Sequence, residues 1–401
     1  MNTRQGEIAS LTGLRGLAAL LVVVTHYWSW ARVTPTAALP ASIGAWMQTS
    51  DIGMAIFFTL SGYVIALSYS DWDWRARPAF NLTRLFFYRF ARLYPAFFLF
   101  AVLIVLRTPP LRDLADPQAE SYLWPHLLLW HTWWPVKYDG MVAIEDRFNV
   151  SWSLSTECAL YLLFGIGAIL AAMLPKFRFK SLILGIVFFV GTWELIGWAW
   201  SARTQLAPAG WDDWDWGRWL FYFSPVTVAL QFGVGVAAYR FSHVALPSWV
   251  TKVASDLGAV ALVAIYAGIA NGAFRDRLDQ SLFSSLATGI LMIGVTSDTV
   301  ANRLLSGRAI VYLGTISYSV YLFHVFVPAL AFNGEVPDFD LAAAAYHAVN
   351  SAICFALTIM LASGIHRFVE VPGRRAIRSL ADRLLGVQQP TPAISQSAPA
   401  E

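Results

Sequence analysis

The sequence predicts an all-α polytopic membrane protein with about ten transmembrane helices and cytoplasmic N- and C-termini. Three observations predict it: an apolar composition, a series of apolar windows of membrane length, and basic residues alternating between the loops. Of 401 residues, 57% are hydrophobic and 13% charged, and the mean hydropathy is +0.54, outside the usage of ordinary water-soluble domains. The windows are about 8–30, 52–69, 85–106, 153–174, 181–201, 217–239, 254–272, 281–297, 309–331 and 341–366, each long enough to cross hydrocarbon roughly 30 Å thick.

The connecting segments fix the orientation. Arg75, Arg77 and Arg84, then Lys176, Arg178 and Lys180, then Arg240 and Lys252, then Arg303 and Arg308 occupy one set of loops. The other set carries Asp212, Asp213 and Asp215, or Glu335, Asp338 and Asp340. The positive-inside rule puts the first set, and with it both termini, in the cytoplasm. The first apolar run is read as a retained helix rather than a cleaved signal peptide, because Arg15 interrupts it and His26, Trp28 and Trp30 follow where small residues would mark a cleavage site. Residues 121–134, SYLWPHLLLWHTWW, are too short to span and read as a re-entrant or interfacial segment, and the loop around 107–151 as an external cap. The expected organisation is a transmembrane domain over 1–380 and a flexible cytoplasmic tail over 381–401, which ends in the Pro-, Ser- and Ala-rich GVQQPTPAISQSAPAE.

Several function classes drop out on composition. A net charge of +3 with scattered basic residues leaves no nucleic-acid footprint. Cys158 and Cys354 lie in apolar runs and read as packing residues, not a disulfide framework. The aromatic content of 15%, with 18 Trp, suits rings at the headgroup boundary. WDDWDWGRW at 211–219 reads the same way, although its Trp faces could also stack sugars.

Charged residues inside the windows carry the functional signal. Arg15 and His26 are eleven positions apart, within about 20° of three full helical turns, so they share a face about 16 Å apart along the axis. Singly, the arginine could snorkel and the histidine bond a neighbouring helix; together on one face they favour a site. Arg89 and Arg92 in FFYRFARLYP are an i, i+3 pair whose guanidinium groups repel unless an anion or carboxylates offset them, a pattern suited to phosphate as well as to anchoring at the basic side. Glu157, in NVSWSLSTECALYLLF, lies about one turn inside its helix, after Trp152 and Ser153. A carboxylate there is costly unless paired, and His26 at a similar height is the expected partner, making an acid/base unit. Near a helix N-terminus it could also simply favour the macrodipole. In FFTLSGYVI the small pair Ser61 and Gly62, followed by Tyr63, lets another helix or a ligand approach closely, and Ser317, Tyr318, Tyr321 and His324 close GTISYSVYLFH, where the histidine reads as a satisfied polar group rather than a second base. HRFVEVPGRR, with Glu370, Arg374 and Arg375, reads as a salt-bridged cytoplasmic stop.

Taken in order, RGLAALLVVVTH, FFTLSGY, RFAR, WSLSTE, SYSVYLFH and EVPGRR resemble the membrane-bound acyltransferase 3 family, over about residues 8–378. The resemblance implies a bacterial inner-membrane O-acyltransferase that takes an acyl group, usually acetyl, from acetyl-CoA and places it on a hydroxyl of a carbohydrate or similar acceptor, with no metal. In that reading His26 and Glu157 are catalytic. Arg15, Arg89 and Arg92 bind the acyl-CoA, and Ser61, Tyr63, Trp152, Ser153 and His324 contact substrate. His26 serves either as general base or as a nucleophile forming an acyl-imidazole. Some members carry an extracytoplasmic esterase-like domain; this sequence is expected either to complete the transfer itself or to hand the acyl group to a separate acyl-handling partner. The competing class is a proton-coupled transporter using the same His, Arg and Glu.

Overall fold

The computed structural model describes residues 8–30, 50–113, 115–137, 148–173, 210–273, 277–327 and 341–387, with four isolated positions between 198 and 207. The helices are α1 (Ala9–Trp30), α2 (Ser50–Ser68), α3 (Pro78–Arg107), α4 (Pro117–Leu127), α5 (Trp152–Met173), α6 (Asp213–Arg218), α7 (Pro225–Ser242), α8 (Ser248–Ala270), α9 (Arg277–Ile293), α10 (Val300–Leu305), α11 (Arg308–Phe323), α12 (Leu341–Ile365) and α13 (Val371–Leu384). No strand occurs among the described residues. Seven described helical segments are long and apolar enough to cross a membrane. Windows 281–297 and 309–331 form the shorter helices α9 and α11, of 17 and 16 residues, and window 181–201 lies outside the described residues.

Local chemistry sets several boundaries. Asp116 accepts from the Gln118 backbone N–H at the start of α4, and Ser224 from that of Val226 at the start of α7, each followed by a proline at the first helical position. Helix α4 has 11 residues and cannot span, in keeping with an interfacial segment. Helix α13 continues through Leu384, so the first residues of the expected tail are helical; residues beyond 387 lie outside the described ones. A π-helical turn, His366–Glu370, joins α12 to α13 without a break.

Five helices surround the site: α1, α2, α3, α5 and α11. Helix α11 runs parallel to α1, and the two backbones touch. A Cβ on Gly314 would lie 1.8 Å from the Thr12 carbonyl oxygen, and one on Gly16 would lie 2.4 Å from that of Ile310. Close approach of this kind is how small residues pack membrane helices where lipid offers no hydrophobic drive for association. Gly62 does the same for α2 against α7, where a Cβ would meet the Phe232 carbonyl at 2.0 Å. Phe97, Phe100, Phe148 and Phe323, all fully buried, close the bundle at the end where α3 finishes.

Helix α3 has 30 residues, about 45 Å at 1.5 Å per residue, so it outruns the hydrocarbon. Its first half, PAFNLTRLFFYRFAR, is the less apolar part and carries α13 along its side. Arg378 lies over the Tyr88 ring at 4.2 Å, and the Tyr88 hydroxyl donates to Asp382 at 2.5 Å.

Candidate functional site

A cavity of about 710 Å³, counting its open mouth, lies among the five helices. Arg15 of α1, Ser61 of α2, Arg89 and Arg92 of α3, Ser153 and Glu157 of α5, and Tyr318 and Tyr321 of α11 line it, together with apolar side chains that include Phe57 and Phe58. The sequence expectation that Arg89 and Arg92 share a face holds, since both reach this space.

The two arginines solve their mutual repulsion differently. Arg89 is buried, with its guanidinium stacked over the rings of Tyr69 at 5.0 Å and Tyr161 at 5.1 Å. It also lies within Coulombic reach of Tyr161 and Glu157. The Tyr161 hydroxyl donates in turn to Glu157 Oε1, which also accepts from Ser61 Oγ at 2.7 Å. Two hydroxyls therefore hold the Glu157 carboxylate inside the bundle, and the Arg89 guanidinium, stacked on Tyr161, offsets its charge. One donor is left over: Arg89 Nε is buried without a hydrogen-bond partner among the described residues. Such a group is costly and is the kind that a ligand oxygen satisfies. Arg92 is half-buried and makes no hydrogen bond or ion pair among the described residues.

His26 lies about 26 Å along α1 from Ala9, at 1.5 Å per residue, and pairs with a second histidine. His324 Nδ1 donates to the Tyr321 carbonyl oxygen at 2.7 Å, which leaves Nε2 of that ring as an acceptor. His26 Nδ1 donates to the Val22 carbonyl at 2.9 Å and lies 3.3 Å from His324 Nε2. The network thus assigns the proton of His26 to Nδ1 and the lone pair to Nε2, the arrangement a general base requires. Asp51, buried in the first turn of α2, is the carboxylate that acts electrostatically on His26.

The expected His26–Glu157 pair is therefore replaced by two units. Glu157 belongs to Ser61, Tyr161 and Arg89, because it sits deeper between α2, α3 and α5. His26 belongs to His324 and Asp51. The cavity ends at Tyr321 and does not take in His26. Tyr321 lines the space on one side, its ring centroid stands 6.1 Å from that of His324 on the other, and Phe57 packs against it at 5.9 Å.

Of the remaining expected residues, Ser153 lines the cavity and donates to the Tyr321 hydroxyl at 2.8 Å. Trp152 is buried against Phe58, Tyr222 and Phe223 and supports the wall from behind. Tyr63 lies outside the cavity. It is two residues, or about 200°, around α2 from Ser61, and it points at Tyr239 and Ser242. Sequence reasoning missed the roles of Asp51 and Tyr161. A buried acid in a first turn and a tyrosine one turn after a buried glutamate are the signals that could have found them. Trp216 and Trp219 are buried and stacked on each other at 5.3 Å, so their mutual faces are not presented to a sugar.

A family model described as an acyltransferase domain, that of acyltransferase 3, matches residues 8–365. The chain is similar to the acyltransferase MdmB of Streptomyces mycarofaciens, at 26% identity over 99% of this chain and 98% of that protein. It is 25% identical to the peptidoglycan O-acetyltransferase OatA of Listeria monocytogenes over 92% of this chain, which spans 56% of that longer protein. It is also 26% identical to the putative membrane-bound transacylase BcsY of Komagataeibacter xylinus, over 78% of this chain and 71% of that protein. With polytopic helices, intramembrane charges in register and a family match across nearly the whole chain, this protein belongs to the acyltransferase 3 family of membrane acyltransferases.

Proposed function

We propose that this protein is an O-acyltransferase of the bacterial inner membrane that moves an acyl group, acetyl by preference, from acyl-CoA to a hydroxyl of a carbohydrate or similar acceptor. One observation carries the reading. The cavity gathers Arg15, Arg89 and Arg92 with only one lining carboxylate, Glu157, and its inner wall backs onto a histidine whose Nε2 holds the lone pair. Cations matched to an anionic carrier, next to a neutral base, are what acyl transfer from a nucleotide thioester requires.

In this reading the donor enters from the cytoplasmic side with its acyl end leading. The acceptor hydroxyl approaches His26 from the opposite face. As its oxygen attacks the thioester carbonyl carbon, a C–O bond forms and the C–S bond breaks. His26 Nε2 takes the hydroxyl proton and returns it to the departing thiolate, so CoA leaves as the free thiol. The imidazolium formed in between is stabilised at Nδ1–H by the Val22 carbonyl and His324 Nε2, and by the Asp51 charge. Ser61, Ser153, Trp152 and His324 hold the walls and the base; the Tyr161 ring and the Glu157 charge keep the interior cation of Arg89 in place. In a two-step version His26 Nε2 itself attacks the thioester carbon, an N–C bond forms as the C–S bond breaks and CoA leaves, and the acceptor hydroxyl or a separate extracytoplasmic partner then takes the acyl group from the imidazole.

The test is purified protein given labelled acetyl-CoA with and without candidate glycans. The reading expects acceptor-dependent release of CoA and label on the glycan. Proton uptake into proteoliposomes with no consumption of acetyl-CoA would overturn it in favour of a transporter.

A further inference from the structure

The last helix, α13, is placed by one contact of unusual closeness. Gly373 lies against Pro95 of α3, where a Cβ would come within 2.6 Å of the proline Cβ. No larger residue permits this approach, and it brings the next residue, Arg374, within Coulombic reach of Arg92. Arg374 is half-buried, and like Arg92 it makes no hydrogen bond or ion pair among the described residues. Arg375 and Arg378 lie within the same reach, and the one acid there is Glu370. That carboxylate is already engaged by His366 at 3.0 Å and Ser319 at 2.9 Å. Arg378 is directed back along α3 by the Tyr88 ring, and Tyr88 is fixed by Arg84 and Asp382. Four guanidinium groups thus converge where α3 and α13 meet, and among the described residues the carboxylates beside them, Glu370 and Asp382, are both already engaged and too few to offset them. Like charges held together by the fold cost free energy until an anion arrives.

We propose that Arg92, Arg374 and Arg378 form a phosphate-binding site at the mouth of the cavity, which takes the phosphate-bearing nucleotide end of the acyl donor. The terminal helix is then half of the donor site and not merely a stop at the membrane surface. Arg92 lines the cavity, so a phosphate held there leaves the donor's uncharged arm directed at Glu157 and Tyr321. A lipid headgroup offers the same phosphate chemistry, but it would meet the exposed Arg375 and Arg378 first; Arg374 is half-buried and lies near Arg92 of α3. This assignment rests on the acyl-CoA reading above.

The experiment measures binding of CoA, 3′-dephospho-CoA and pantetheine to full-length protein in nanodiscs of neutral or anionic lipid. The wild type is compared with Arg374→Gln, Arg374→Lys and the distant surface variant Arg303→Gln. The proposal expects Arg374→Gln to weaken CoA about 10- to 100-fold, the loss of a charge-assisted phosphate bond. It expects Arg374→Lys to weaken it less, Arg303→Gln not at all, and pantetheine to bind both Arg374 variants as it binds the wild type. Unchanged CoA affinity in Arg374→Gln overturns the proposal, as does equal weakening of CoA and pantetheine. An effect seen only as altered preference for anionic lipid also overturns it. Failure of the wild type to bind any of the three compounds would instead strike the acyl-CoA reading, and the proposal with it.

Discussion

Substituting Gly314 by alanine is expected to disable the protein from about 15 Å away. The distance is ten residues of α11 between Gly314 and His324, at 1.5 Å per residue. An ideal Cβ at 314 falls 1.8 Å from the Thr12 carbonyl oxygen, whereas real Cβ atoms keep 3.0 Å or more, so α1 and α11 must part by at least 1.2 Å there. The His26–His324 contact is already 3.3 Å, near the outer limit of a hydrogen bond, and cannot survive even a third of that shift. Losing one hydrogen bond to an imidazolium is worth about 1.5–3 kcal/mol, or roughly 10- to 150-fold in kcat. The overpacking itself costs about 1–3 kcal/mol of stability. The assay is kcat and KM for acetyl-CoA, with thermal unfolding of the purified protein alongside. Gly167→Ala serves as control: nothing lies within 4 Å of a Cβ there, so the change should be neutral or stabilising by about 0.5–1 kcal/mol. A Gly314→Ala protein with wild-type melting and turnover would refute the backbone contact and the coupling drawn from it.

Tyr161→Phe should destabilise by about 1.5–3 kcal/mol, because it removes the charge-assisted bond that the hydroxyl donates to Glu157; equilibrium unfolding in detergent measures it, and a loss under about 0.5 kcal/mol would contradict that bond. His131, in the turn after α4, is held well below its ordinary value of 6.5 by burial and by the neighbouring His126. Its folded value is depressed, so its contribution to stability is complete above about pH 6.5, the unfolded value, and is lost as pH falls from there toward the folded value. His131→Asn should flatten the fall in melting temperature between pH 8 and pH 5; an unchanged slope would show that His131 does not carry it.

The membrane class was readable because it depends on long apolar windows and loop charges, which are properties of single segments. Placement of Arg89 and Arg92 on one cavity was readable for the same reason, since i, i+3 neighbours share a face of one helix. Pairings between helices were not. Whether Glu157 meets His26 or Arg89 depends on the relative depth and rotation of four helices, which glycine contacts such as Thr12–Gly314 set and no periodicity reveals. Tyr63 was misplaced by a two-residue step that turns it to the far side of α2. The terminal EVPGRR reads locally as a basic stop, and only the close packing of Gly373 on Pro95 brings Arg374 near Arg92.

The central claim is that His26 is the base at the end of a route that begins among the arginines. The direct measurement is the rate of CoA release from labelled acetyl-CoA by wild type, His26→Ala and Arg15→Ala, each first shown to insert and melt normally. The account predicts a fall of about 100- to 10,000-fold in kcat for His26→Ala, the usual worth of a general base, and a rise in KM for Arg15→Ala. Wild-type release rates from both folded variants would contradict it.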